Sequence, residues 1–129
     1  MKIPTAAVIA VAAASLALAG AAQAADKPAA KKECFWARNV TSFAAPDDHT
    51  VYVRVNVRDV YKFDLLISCP DIDWSQRLAL KSTSDSICDG MDAEIVTRSR
   101  ALGRQRCPIK NMRKLTPEEV AALPKRARP

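Results

Sequence analysis

The chain has few of the residues that build the commonest catalytic and cofactor sites. It has three glycines, one of them within the first 24 residues, so a glycine-rich loop that cradles phosphate is excluded. It has one histidine, and its cysteines are 35, 19 and 19 residues apart, so no Cys-x-x-Cys pair exists for a zinc ribbon or a redox-active dithiol. No Gly-x-Ser-x-Gly elbow presents a serine. We therefore expect no cofactor and no metal, and no motif assigns a catalytic residue.

The N-terminus has the pattern of an export signal. Lys2 is its only charge, an apolar run extends from Ala6 to Ala19, and Ala22-Gln23-Ala24 is a small-x-small cleavage site. A membrane helix is the alternative, but the run is rich in alanine and shorter than the roughly 20 strongly apolar residues that a span needs. We predict a cleaved signal peptide over residues 1–24, a disordered lead-in over 25–32, and a periplasmic or secreted protein with no transmembrane segment after cleavage.

Four cysteines follow the signal, at Cys34, Cys69, Cys88 and Cys107. An even number of cysteines in an exported chain of this size indicates structural disulfides, because the compartment is oxidising and the core is small. Four cysteines permit three pairings. We expect Cys69–Cys88 to pin the central crossover, and Cys34–Cys107 to join the first and last strands and so close a barrel.

The middle of the chain alternates with the period of a β-strand. Every odd residue from Val51 to Val57 is valine, and after a turn at Arg58-Asp59 the alternation resumes from Tyr61 to Ile67, so we predict a hairpin. The last of the weaker strands is expected at a sheet edge, because Pro108 lacks a ladder donor. These weaker strands are predicted at Trp36–Phe43, Arg77–Lys81, Ala93–Arg98 and Gln105–Asn111.

One helix is predicted near the C-terminus. Thr116-Pro117-Glu118-Glu119 offers an N-cap, a proline at the first helical position and a capping-box glutamate, and Pro124 ends the helix. The chain is therefore expected to be mainly β. It should form a small antiparallel barrel, OB-like in its strand order, or a half-open sheet of five to six strands with a short C-terminal helix. The expected domain is residues 33–124, followed by a frayed basic tail at 125–129.

Several segments together resemble a known family. They are Cys34-Phe35-Trp36-Ala37-Arg38, Ser68-Cys69-Pro70-Asp71, Ile87-Cys88, Arg106-Cys107-Pro108-Ile109 and Leu115-Thr116-Pro117-Glu118-Glu119. With its four-cysteine layout, the chain from about Cys34 to Leu123 resembles small exported bacterial proteins of unknown function (domain of unknown function 6491). The resemblance implies a Gram-negative envelope setting and no particular activity.

Charge is distributed unevenly along the chain. Residues 25–97 carry nine basic and twelve acidic side chains, whereas residues 98–129 carry ten and two. On the last predicted strand the cations share outward parity while Cys107 and Ile109 point inward, so one face would present several cations to the same partner. The candidate anion-binding residues of this basic face are Arg98, Arg100, Arg104, Arg106 and Lys110.

The basic face has two interpretations. In the first, it binds an anionic envelope component, such as lipopolysaccharide phosphates, an acidic polymer or an acidic protein. Alternatively, its charges keep an edge strand from pairing with other chains. Nucleic acid is not expected as a partner, because the chain is exported and the basic face has no aromatic residue on which bases could stack.

The remaining candidates are weaker. His49 beside Asp47 and Asp48 has the groups of a general base, but turn chemistry explains the two aspartates as well. Acidic turns around Asp71–Asp73 and Asp85–Asp92 do not match a calcium loop. Trp36 and Trp74 are expected to pack in the core near a disulfide, and stacking on a sugar ring is the alternative.

The function that fits these features best is a non-enzymatic binding or accessory module with an anion-binding face. The alternatives are a small envelope enzyme that uses His49 with Asp47 or Asp48, and a purely structural envelope protein. The oligomeric state does not follow from the sequence.

Overall fold

The computed structural model describes residues 32–129, so the predicted signal peptide and nearly all of the lead-in lie outside the described residues. The order of elements is dominated by antiparallel strands. The strands are β1 (Cys34–Trp36), β2 (Val40–Ala44), β3 (Thr50–Val55), β4 (Asp59–Leu65), β5 (Ala79–Ser82), β6 (Ser86–Cys88), β7 (Ala93–Ser99) and β8 (Gly103–Lys114). One helix, α1 (Pro117–Ala122), follows the last strand.

Six of the strands form one curled antiparallel sheet in the order β2-β3-β4-β8-β7-β5, and β1 pairs with β6 in a second, two-stranded sheet. The mainly β prediction is confirmed in its half-open form, since no ladder among residues 32–129 joins the outer strands β2 and β5 into a closed barrel. The predicted hairpin is present as β3–β4, with Val51 opposite Phe63 and Val53 opposite Tyr61. These side chains are buried and form the centre of the core, as period-two burial requires.

The two-stranded sheet packs on the large one through aromatic contacts. The Phe35 ring lies 4.7 Å from the Tyr61 ring and 6.3 Å from the Phe63 ring, measured between centroids. Ile87 on β6 is also fully buried in the same core. β6 was not predicted from the sequence, and the first predicted strand is broken by a 3-10 turn at Ala37–Asn39.

The prediction that the last strand lies at an edge is wrong. β8 lies inside the sheet, and its two halves pair with different neighbours: residues 103–108 with β7, and residues 109–114 with β4. Pro108 stands where the partner changes, next to a register shift opposite Asp64 and Leu65. The missing N–H is tolerated at such an irregularity, and the Pro108 carbonyl accepts a hydrogen bond from the Leu66 amide at 2.9 Å.

The first long strand also ends earlier than its valines suggest. Asn56 adopts a left-handed conformation with φ 54°, so the chain turns before Val57, which is 80 % exposed. Asparagine is one of the few residues that tolerate this conformation. At the other end of the hairpin, β4 stops at Leu65, and Ile67 is likewise exposed.

All four cysteines are in disulfides, but the predicted pairing is wrong. Cys34 pairs with Cys88, and Cys69 pairs with Cys107. The first bridge lies within the two-stranded sheet, where the two cysteines are opposite each other in register. The second ties the chain after β4 to the middle of β8. The barrel-closing role expected for Cys34–Cys107 is therefore absent, in agreement with the open sheet.

The C-terminal helix begins as predicted. The Thr116 hydroxyl accepts a hydrogen bond from the Glu119 amide, and the Glu119 carboxylate accepts one from the Thr116 amide, which completes the capping box. Leu115 and Leu123 pack on Val60, which is buried on the opposite side of β4 from the main core. The helix therefore covers the second face of the hairpin.

The last five residues do not fray as expected. They continue as a 3-10 turn, Lys125–Ala127, and Ala127 is buried against Leu123 and Val60. The Arg54 guanidinium donates two hydrogen bonds to the Pro129 carbonyl oxygen, at 2.7 and 3.0 Å. Among residues 32–129, no helix is long and apolar enough to cross a membrane.

Candidate functional site

A groove of about 940 Å³ runs along one side of the β7–β8 hairpin. We call it the arginine groove, because four arginines line it together with an exposed tryptophan. Its defining residues are Trp74, Arg77, Arg98, Arg100 and Arg104.

The groove exists because β5 is too short to cover β7. Pairing between the two strands ends at Ala79 opposite Val96, so the last residues of β7, Thr97 to Ser99, have no neighbour from β5. The chain that precedes β5 turns away at this point and leaves a gap beside the hairpin. Arg77 and Leu78 line one side of this gap, and the end of the hairpin lines the other.

The hairpin places two arginines face to face. Arg98 on β7 is the direct register partner of Arg104 on β8, and both side chains are exposed. Directly opposed side chains in an antiparallel pair have Cβ atoms about 5 Å apart, and like charges in these positions repel. None of the four groove arginines has a carboxylate within ion-pair distance among residues 32–129. The groove therefore concentrates positive charge that the described part of the chain does not neutralise.

The segment that carries Trp74 is fastened to the inner face of the hairpin. Cys69 is bonded to Cys107, the Gln105 side chain donates to the Pro70 carbonyl at 2.6 Å, and the Thr97 hydroxyl donates to Ser75 Oγ at 2.6 Å. Inward-facing residues of β7 and β8 thus hold the segment, while Arg98 and Arg104 at alternate positions extend from the other face. Residues of both faces line the groove, which therefore crosses the edge of β7 that β5 leaves uncovered. Between these ties, Ile72–Trp74 forms a 3-10 turn.

Asp71 connects the 3-10 turn that contains Trp74 with the β7–β8 turn that contains Arg100. Its Oδ2 accepts hydrogen bonds from the Ser99 hydroxyl at 2.7 Å and from the Arg100 amide at 3.1 Å. Ser99 Oγ in turn accepts from the amides of Ala101 and Leu102. Asp71 adopts φ 64°, which aspartate tolerates. Asp71 is the one acid that lines the groove in the described chain, and it serves to fix the β7–β8 turn.

These hydrogen bonds hold the pKa of Asp71 below its ordinary value of 3.8, first through the Ser99 hydroxyl and then through the Arg100 amide. A carboxylate with a depressed pKa in the folded state stabilises the fold above its ordinary pKa, and this contribution is lost as the pH falls through the depressed value. We expect Asp71→Asn to lower the melting temperature at neutral pH. The difference from the unmodified protein should shrink below pH 3.8. Thermal melting from neutral to acidic pH checks this, and a difference that stays constant with pH would contradict it.

Both tryptophans are exposed, so the prediction that they pack in the core is wrong. Trp74 is 75 % exposed at the rim of the groove, and Trp36 is 47 % exposed on β1. The Arg38 guanidinium lies over the Trp36 ring, 4.8 Å from its centroid, and covers part of it. Ile72, not Trp74, is the residue of the 3-10 turn that enters the core.

The five residues of the predicted basic face separate in the structure. Arg98, Arg100 and Arg104 line the groove, whereas Arg106 forms an ion pair with Glu94 at 3.2 Å. Lys110 lies further along β8, at the register shift, and lines a small cleft beside Asp89 and Gly90. The charged run therefore supplies three groove residues, and Arg77 adds a fourth from another segment.

The His49 loop contains a histidine, an aspartate and a contact to a serine, as a catalytic triad does, but the three groups are hydrogen-bonded in a different sequence. The His49 ring Nδ1 lies 2.8 Å from Asp48 Oδ1, and the Ser68 hydroxyl donates to the other oxygen of Asp48. The serine thus bonds the carboxylate rather than the imidazole, so the hydroxyl is not hydrogen-bonded to the histidine as it is in a catalytic triad. The Ser68 hydroxyl, followed by His49, holds the pKa of Asp48 below its ordinary value. The loop is exposed and does not line the groove.

Several of the acidic residues that the sequence singled out accept hydrogen bonds from the chain itself. Asp47, Asp48 and His49 lie within 4.8 Å of one another, and in the described chain no other group of acids, cysteines and histidines is this close. Asp47 Oδ1 accepts a hydrogen bond from the His49 amide, as in an ordinary Asx turn. Asp71 instead accepts a hydrogen bond from the Arg100 amide in the β7–β8 turn, and Asp89 accepts one from the Met112 amide of β8.

Comparison with known proteins assigns a family. A family model described as "Family of unknown function (DUF6491)" matches residues 3–129. The chain belongs to the DUF6491 family. No curated protein and no solved structure matches it. This confirms the resemblance drawn from the cysteine layout, and DUF6491 membership brings no activity, ligand or catalytic residue with it.

Three groove residues of this DUF6491 protein were not identified as such from the sequence. Arg77 is isolated among polar residues, Asp71 resembles an ordinary turn aspartate, and Trp74 resembles a core residue. One signal was available for Trp74: it stands in a short segment rich in Pro, Asp and Ser, where side chains are more often exposed.

Proposed function

We propose that this protein is an exported, non-enzymatic binding module that holds an anionic partner in the arginine groove. The observation that carries the proposal is the direct cross-strand pairing of Arg98 with Arg104 beside Arg77 and Arg100. Like charges placed opposite each other destabilise a sheet, and an anion bound between them removes the repulsion.

The proposed location rests on two features. The N-terminal segment has the pattern of a cleaved signal peptide. All four cysteines are disulfide-bonded, which is typical of proteins that fold in an oxidising compartment. Both features support a periplasmic or secreted protein.

The alternative explanation for the arginines, protection of an edge strand, applies to Arg98 and Arg104 but not to Arg77 or Arg100. The half of β8 that carries Arg104 pairs with β7 alone, and Arg77 precedes β5. Arg100 lies in the turn rather than in a ladder. A binding role accounts for the position of all four arginines in one groove.

A binding role is also favoured over the enzyme alternative. The groove contains hydrogen-bond donors and one acid already engaged by Ser99 and Arg100, so it lacks a group poised to accept a proton. The His49 loop lies outside the groove, and the nearby Ser68 hydroxyl donates its hydrogen bond to Asp48 rather than to His49.

The proposal is tested with a variant that removes groove charge: Arg98→Ser, Arg100→Ser and Arg104→Ser together. Binding to labelled lipopolysaccharide and to polyglutamate is measured by anisotropy at low and high salt. We expect the variant to lose at least about tenfold in affinity, since a hydrogen bond to a charged group contributes about 1.5 kcal/mol or more. Binding by the unmodified protein should weaken as salt rises.

The matched control removes three exposed cations outside the groove, with Arg58→Ser, Lys81→Ser and Lys125→Ser. It changes the net charge by the same amount, so a purely long-range effect would weaken both variants equally. Equal weakening, or no binding of either polyanion by the unmodified protein, would contradict the proposal. Circular dichroism establishes that both variants are folded.

A further inference from the structure

We infer that the anionic partner is an acidic saccharide, which stacks a sugar ring on Trp74 and places its carboxylate or phosphate between the groove arginines. This inference rests on the proposed function and names the chemical class of ligand that the same groove takes.

Trp74 supplies the first argument. A single exposed apolar side chain is common on protein surfaces, so exposure alone assigns nothing. Trp74, however, stands on a turn held at both ends, with Asp71 bonded to the hairpin on one side and Ser75 bonded to Thr97 on the other. The backbone that carries the ring is therefore held in place beside a charged groove. A rigid, amphipathic aromatic surface of this kind loses little conformational entropy on binding.

The lining of the groove supplies the second argument. Leu78, Ala79 and Val96 also line the groove, so it has apolar surface as well as cations. A sugar ring has apolar C–H faces and a polar edge, which suits a site with an aromatic wall and charged donors. An inorganic anion would use the arginines and leave the aromatic and apolar surface unoccupied.

Size and donor geometry supply the third argument. A volume of about 940 Å³ is at the upper end of the range of roughly 300–1,000 Å³ typical of small-molecule sites. It accommodates a short oligosaccharide rather than a single ion. The guanidinium groups of Arg98 and Arg104 present planar pairs of donors, which match a carboxylate or a phosphate in bidentate fashion.

The test uses ligands that differ only in charge or only in the ring. Trigalacturonate and trehalose 6-phosphate are acidic saccharides with a carboxylate and a phosphate, respectively. The methyl ester of trigalacturonate and trehalose keep the rings without the charge. Triglutamate and inorganic phosphate keep the charge without the rings, and triglutamate also represents an acidic peptide. Affinities are measured by calorimetry with the unmodified protein.

Trp36→Phe leaves Trp74 as the only tryptophan, so emission reports on the groove alone. We expect at least one acidic saccharide to change the Trp74 emission and to bind at least about tenfold more tightly than its uncharged and ringless counterparts. Trp74→Ala should weaken that binding by about tenfold. The Arg98→Ser, Arg100→Ser and Arg104→Ser variant should abolish it.

Three outcomes separate the failure of this inference from the failure of the proposed function. If triglutamate or phosphate binds as tightly as the acidic saccharides, and Trp74→Ala changes nothing, the saccharide inference is overturned and anion binding stands. If neither acidic saccharide binds while polyglutamate still binds at the groove, the saccharide inference is likewise overturned and anion binding stands. If no anion binds and the arginine variant behaves as the unmodified protein, both are overturned.

Discussion

Replacing Cys69 and Cys107 together with alanine is expected to lower the free energy of unfolding by about 4 kcal/mol. The bridge closes a loop with a sequence separation of 38 residues, and its loss returns that conformational freedom to the unfolded chain. Both cysteines are almost completely buried, so the substitution also removes packed sulfur from the core. Chemical unfolding of the oxidised proteins measures the difference.

The same substitution should also abolish anion binding in the arginine groove. Cys69 begins the segment that carries Asp71, Ile72 and Trp74, and its bond to Cys107 fixes that segment on β8. Without the bridge, the remaining ties are the packing of Ile72 in the core and the hydrogen bonds made by Asp71 and by its neighbours. We expect hydrogen exchange to become faster along the segment, because these hydrogen bonds open more readily once the covalent tie is gone.

The Cys34–Cys88 bridge is the matched control. Its sequence separation is 54 residues, so chain entropy predicts a similar loss of about 4 kcal/mol when both cysteines become alanine. It lies in the two-stranded sheet, however, and contributes no residue to the groove. Binding by the Cys34→Ala, Cys88→Ala variant should therefore persist under conditions in which it is folded. Equal loss of binding in both variants would show that the Cys69–Cys107 bridge has no special role in the groove.

The hairpin could be predicted from the sequence because burial on one face leaves a period of two. The valines of β3 and the aromatic residues of β4 have this pattern, and the structure buries them in register. The pattern fails at Val57, where the left-handed Asn56 ends the strand, because a local turn overrides hydrophobic alternation. It also does not show that Val60, on the opposite face of β4, is covered by Leu115 and Leu123.

The disulfide pairing could not be predicted because strand parity carries no information about which strands are neighbours. Parity places the sulfur of Cys107 inward, as observed, but it does so for any partner. The error followed from expecting a bridge between the first and last strands to close a barrel. The edge position predicted from Pro108 failed separately, because the strand passes from one neighbour to the next at that residue.

The positive charge of the candidate site could be predicted from the sequence, but the set of residues that forms it could not. Arg104, Arg106 and Lys110 at alternate positions of the last predicted strand indicated a common face, of which Arg104 alone lines the groove, opposite Arg98 of the preceding strand. Trp74 and Arg77 come from a segment about 20 residues earlier, and only tertiary contacts bring them to the hairpin. Those contacts are made by single polar side chains, Asp71 and Thr97 among them, which have no periodic signature.

Ile72 connects the core with the groove, and Ile72→Ala is expected to lower the free energy of unfolding by about 3 kcal/mol. The side chain is fully buried and packs in the main core, although the two residues that follow it in the 3-10 turn are exposed. Truncation removes apolar contacts and leaves a cavity that the surrounding strands fill only in part. Because the core side of the turn is then loose, the amides of Trp74 and Ser75, which donate to Asp71 and Ile72, should exchange faster.

Ile72→Val is the control, with an expected loss of about 1 kcal/mol because only one methylene is removed. If Trp74 owes its position to this anchor, Ile72→Ala should also weaken saccharide binding, whereas Ile72→Val should leave it nearly unchanged. Affinity is compared at a temperature at which all three proteins are folded, with circular dichroism as the check. Loss of stability with unchanged exchange at Trp74 and unchanged affinity would mean that Asp71 and Ser75 alone position the ring. The groove would then be independent of the core beneath it.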